Sequence, residues 1–104
     1  MLTDIHIKAV EVYFIPVNTR IPLKFGSEVL TSVTCARIRV SVENNRGQTA
    51  EGWGETPLSV QWVWPSSVSY SFRFLRLKKF VMELSAELND YTVKGHPIET
   101  GHLF

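Results

Sequence analysis

The sequence predicts an α+β domain, a three-stranded antiparallel β-meander followed by a long amphipathic helix that begins a helical bundle. Three observations carry this expectation. Asn44, Asn45, Arg46 and Gly47 form a turn tetrad, because Asn tolerates and Gly freely adopts a left-handed backbone. Ahead of it, residues 36–43 alternate apolar and polar with period two, and residues 48–56 return as a second strand, which makes a hairpin. Further on, Tyr70, Phe74, Leu77, Val81, Leu84 and Leu88 step by four and three, an apolar stripe along one helix face.

Taken in order, residues 5–17 form the first strand. Ile5, Ile7 and Ala9 alternate with His6 and Lys8, and then the phase slips to Val10, Val12 and Phe14. A one-residue slip marks a bulge, or a strand buried on both faces. Pro16 and Pro22 bracket a stretch where neither period survives, so residues 21–31 read as a long connection containing Lys24, Phe25 and Gly26. Loops of that length are often functional.

The second strand spans residues 33–43, and the third ends at Pro57. In the third strand Gly52 and Gly54 share one face, with Glu51, Trp53 and Glu55 on the other. Two strand glycines at this spacing mark close approach by another backbone or a ligand, so something is expected to pack on their face. Residues 58–67 are dense in aromatics. Trp62 and Trp64 fall on one side if the segment is extended, and covering the domain's own core is the commoner use of such a pair. Ser66 or Ser67 is expected to cap the helix, with Pro65 just outside it. The helix is basic in its first half (Arg73, Arg76, Lys78, Lys79) and acidic in its second (Glu83, Glu87, Asp90). That order opposes the macrodipole and reads as a solvated face. Gly95 and Pro97 end the helix, and the Gly-His-Leu-Phe terminus reads as a truncation where a new element begins.

Composition narrows the function classes. The chain has 104 residues, 44% hydrophobic and 20% charged, which fits one soluble domain. A net charge of +1 offers no global attraction for nucleic acid or an anionic membrane. A lone Cys35 allows no internal disulfide and is expected to be a small buried hydrophobe in the reducing cytoplasm. His6, His96 and His102 stand at no metal-ligand spacing with Cys or carboxylates. No Gly-rich phosphate loop or nucleophile elbow occurs, so neither a catalytic nor a metal-ligating residue is assigned.

Four segments carry a resemblance: Ile7-Lys8-Ala9-Val10-Glu11-Val12-Tyr13, Ile21-Pro22-Leu23-Lys24-Phe25-Gly26, Gly52-Trp53-Gly54-Glu55-Thr56-Pro57, and the helix behind them. The chain resembles, over essentially its whole length, the N-terminal capping domain of the mandelate racemase and muconate lactonizing enzyme branch of the enolase superfamily. The resemblance implies a sheet and helical bundle closing over a C-terminal (β/α)8 barrel that this chain lacks. It also implies two specificity loops, at about residues 18–32 and 56–64, with Lys24, Phe25, Gly26 and Trp62 facing a small carboxylate substrate. In such enzymes the barrel supplies the base and the Mg2+ for proton abstraction α to a carboxylate, in racemases, epimerases, cycloisomerases and dehydratases. Lys78-Lys79 does not match the base motif, so this chain is not expected to be an enzyme alone. A homo-oligomer is expected. Two other classes stay open, a stand-alone ligand-binding module near Trp53, Trp62 and Trp64, and a self-associating interaction module.

Overall fold

The backbone reverses where the sequence places its strongest turn. Gly47 N–H donates to the Asn44 carbonyl at 3.2 Å, and Gly47 takes a φ of 77°, which suits a residue without a Cβ. Asn44 Oδ1 locks the loop by accepting from the N–H groups of Arg46 and Gln48, each at 2.9 Å. Around this turn a computed structural model, describing residues 3–25 and 28–104, builds the expected α+β architecture. Strands β1 (Ile5–Phe25), β2 (Glu28–Asn44) and β3 (Thr49–Pro57) form one antiparallel sheet in the order β1-β2-β3. Helices α1 (Val60–Val63), α2 (Tyr70–Asn89) and α3 (Pro97–Leu103) follow.

The phase slip in β1 is a register shift between Ile7 and Ala9. It turns Val10, Val12 and Phe14 to the helix side, level with Val40, Ile38 and Ala36 of β2. α2 lies over this face. Asn89 Oδ1 accepts from Val10 N–H at 3.0 Å, and the Lys78 ammonium sits 4.8 Å above the Phe14 ring. Phe74, Leu77, Val81 and Leu88 of the expected stripe are half-buried, whereas Tyr70 and Leu84 are more exposed. The Gly95 N–H and carbonyl both bond to Ile5, tying the start of the sheet to the chain just before α3.

The expected long connection at 21–31 is instead strand for most of its length: β1 runs on to Phe25 and β2 starts at Glu28. Beyond the Cys35–Pro57 pair, where β3 ends, these two strands continue as a two-stranded arm. Such a ribbon faces water on both sides and shows no burial period. Pro16 is tolerated because β1 is an edge strand, and Pro22 because it lies in the register shift between Asn18 and Leu23. The helix cap is Ser69, whose Oγ accepts from Phe72 N–H at 3.3 Å. Ser66 instead accepts from Val68 N–H, a local turn that delays the helix. Cys35 is half-buried, not fully buried. Nothing in the described chain packs on the glycine face, since no atom lies within 4 Å of where a Cβ would stand on Gly52 or Gly54.

No helix is long and apolar enough to cross a membrane among the described residues.

Candidate functional site

Residues 58–64 leave the sheet at the base of the arm, where Leu58 N–H donates to the Thr34 carbonyl at 2.9 Å. Leu58 and Val60 are buried and anchor the short helix α1. The helical turn keeps the segment from being extended, so Trp62 and Trp64 do not share a face. Trp62 is 77% exposed and covers no core, which corrects that expectation, while Trp64 meets the edge of Phe72 at 6.4 Å. The sequence also placed Arg73 among solvated cations. It is buried at 6% exposure, where its Nε donates to the Val68 carbonyl at 2.8 Å and Nη1 to the Trp64 carbonyl at 2.6 Å. Arg73 thus fastens the aromatic segment to α2. No spacing rule marks an arginine whose partners are loop carbonyls.

Lys24 stands near the tip of the arm, exposed and opposite Val29, and Phe25 closes β1 opposite Glu28. Gly26 lies outside the described residues. From Thr34 at the arm's base to Val29 is five residues of β2, about 17 Å at the rise of an antiparallel strand. The arrangement therefore does not bring Lys24 and Trp62 into one pocket. Each offers a separate exposed contact, at the two ends of the same arm. Between them Ile21, at 67% exposure, and Val29, at 56%, present apolar surface to water.

The sheet's outer face carries a cluster that the sequence reading did not single out. Arg39, in the middle strand, binds the Glu11 carboxylate on one side and lies 3.8 Å from Glu51 on the other. Its guanidinium sits 5.9 Å from the centre of the Trp53 ring, and Tyr13 lies beside that ring at 6.0 Å. The Tyr13 hydroxyl donates to Glu11. This hydrogen bond, followed by that from Arg39, holds the Glu11 carboxyl below the usual carboxylate range; the bond to Glu11 also pushes the Tyr13 phenol up. Arg37 donates to Glu55 at 3.2 Å, and Lys8 to Glu43 at 3.0 Å. The Lys8 bond and charge likewise lower the Glu43 carboxyl. The signal was present, because alternation alone puts residues 11, 13, 37, 39, 51, 53 and 55 on one face. Cross-strand register, which decides which of them meet, was not legible.

The cluster pairs its charges internally and presents Trp53, 57% exposed, with Tyr13 as an aromatic centre. Such a surface suits contact with another macromolecule better than bond-making chemistry. On the helix side an apolar cleft of about 420 Å3 opens between the sheet and the C-terminal helices, with Ile7, Val40, Gly52, Leu88 and Tyr91 in its walls. Among the described residues no three His, Cys, Asp or Glu side chains converge as a metal-binding group. Comparison with protein-family models, curated proteins and solved structures returns no match.

Proposed function

We propose that this chain is the specificity-determining capping domain of a Mg2+-dependent enzyme of the enolase superfamily, noncatalytic by itself, and that it covers a (β/α)8 barrel which binds a small carboxylate substrate. The observation that carries this reading is the arm formed by the ends of β1 and β2. A two-stranded ribbon is marginal in water, and this one carries exposed Ile21, Leu23 and Val29 with the cation Lys24 at its end. A ribbon of that kind is stabilised by lying on a second body, and its tip is then placed at that body's surface. The meander-then-helix order and the quoted segments of the resemblance add support. The barrel supplies the metal and the base; this chain excludes water and contacts the substrate's distal group. The single thiol fits a cytoplasmic location.

Reading the open frame downstream of the Phe104 codon tests the proposal. A βα repeat of about 250 residues with acidic strand ends is expected, and a stop codon at that point sinks it. The second reading, a stand-alone ligand-binding or self-associating module, is favoured by the apolar cleft beside Gly52. Under that reading the chain functions without a barrel.

A further inference from the structure

The two edges of the sheet are built differently. β1 carries several devices that keep an edge from pairing with another chain: two register shifts, Pro16 and Pro22, and a covering helix bonded to Val10 N–H. β3 carries almost none. It pairs with β2 over nine residues without a register shift, contains no Lys, and meets a Pro only at its last residue, Pro57. All nine residues are exposed, and no other described strand pairs with its free edge. The charges Glu51 and Glu55 point to the outer face, where Arg39 and Arg37 occupy them. An unguarded edge of this length is a template for a further strand.

We propose that the free edge of β3 binds β3 of a second copy of this chain, antiparallel about a two-fold axis at Gly52, to give a six-stranded sheet. The side-chain order accommodates a second copy in this register. With Gly52 facing Gly52 of the other copy, Trp53 stands opposite Glu51, Gly54 opposite Ala50, and Glu55 opposite Thr49. No like charges face each other. An axis at Trp53 would place Glu51 against Glu55 twice, which is unfavourable. Gly52 also lines the apolar cleft, so pairing at this residue joins the clefts of the two copies across the axis. The chain has surface to spare for this contact. It exposes 7569 Å2, whereas a compact monomer of 11.9 kDa exposes about 5,900 Å2. A standard interface takes about 800 Å2 from each partner. The inference rests on the edge, the cleft and the exposed surface, and is independent of the capping reading.

Sedimentation velocity on the 104-residue chain over a range of concentrations tests it, using wild type, Gly52→Lys, Gly52→Glu and an equimolar mixture of the two variants. The Cβ positions at Gly52 are open and its φ is not positive, so the substitutions leave the monomer fold intact, as circular dichroism will report. Wild type is expected to dimerise. Each variant, with like charges across the axis, is expected to dissociate about tenfold more readily, an effect that weakens in high salt. The mixture is expected to recover a heterodimer. A wild type that stays monomeric at its solubility limit overturns the proposal. So does a dimer indifferent to both variants, or a mixture that fails to recover pairing.

Discussion

Glu11 stands where two kinds of donor meet, a phenol from its own strand and a guanidinium from the next. Both prefer the ionised carboxylate, so its folded pKa lies below the usual 4.5, as does that of Glu43 beside Lys8. The sign follows from linkage. A carboxyl whose pKa is lower folded than unfolded contributes stability that is complete above the unfolded value and is lost as pH falls through the folded one. Urea midpoints should therefore hold steady from neutrality to about pH 5 and decline below the usual 4.5. In Glu11→Gln the decline should be shallower, and an unchanged slope would show that the network contributes nothing. Both groups are solvent-accessible, so the effect is screened by salt. At the same scale, Ser69 is the residue that starts α2. Ser69→Ala should cost about 1 kcal/mol and lower Tm by about 4–8 °C, whereas Ser66→Ala and Ser67→Ala should leave the helix in place. Thermal unfolding of the three variants discriminates them.

At the scale of elements, the arm separates what periodicity reads from what it cannot. A period-two pattern appears only where one face is buried. Residues 36–43 sit in the middle strand with α2 over their sheet's inner face, and there the pattern was plain. Residues 17–25 and 28–32 belong to a ribbon wet on both sides, so nothing selected an alternation and the sequence read as loop. Lys24 was legible as a candidate but its setting was not: it stands on a strand, far from Trp62. In the full-length enzyme that the capping reading requires, Lys24→Ala should raise KM about tenfold for a substrate with a distal carboxylate, while fold and metal affinity hold. Steady-state kinetics with acidic and neutral substrates provide the check, and equal KM values for Lys24→Ala and wild type across the panel would return Lys24 to bare surface. α2 poses the converse case. Its core stripe was read from spacing, yet Phe72, Leu75 and Met82 on the outward side are exposed as well.

The whole molecule is long for its mass. Its radius of gyration is 16.9 Å, against about 13 Å for a compact chain of this length. Only Ala36, Leu58 and Val60 among the described apolar residues are fully buried. Sheet, arm and helix each keep an apolar side in water, and patches of that extent seek a partner. The isolated chain should bind a hydrophobic dye such as ANS, with fluorescence that falls as concentration drives association. A chain that gives no dye signal when dilute and monomeric would show that these faces are satisfied in a way the fold does not suggest.

By itself the sequence determined the elements whose cause is local. The Asn44–Gly47 turn follows from backbone tolerance, the β1 bulge from a slipped alternation, and the helix from its stripe. Each of these is decided within a few residues of chain. Tertiary structure alone decided which side chains meet across strands, as Glu11, Arg39, Glu51 and Trp53 do, because register sums contributions from three separated segments. It also decided that Arg73 is buried, since its partners are carbonyls of a loop whose course no pattern specifies. The face of Gly52 and Gly54 divides between the two. Spacing marked it as a place of close approach, and the fold left it open, because α2 lies against β1 and no atom of the described chain comes within 4 Å of a Cβ position on either glycine.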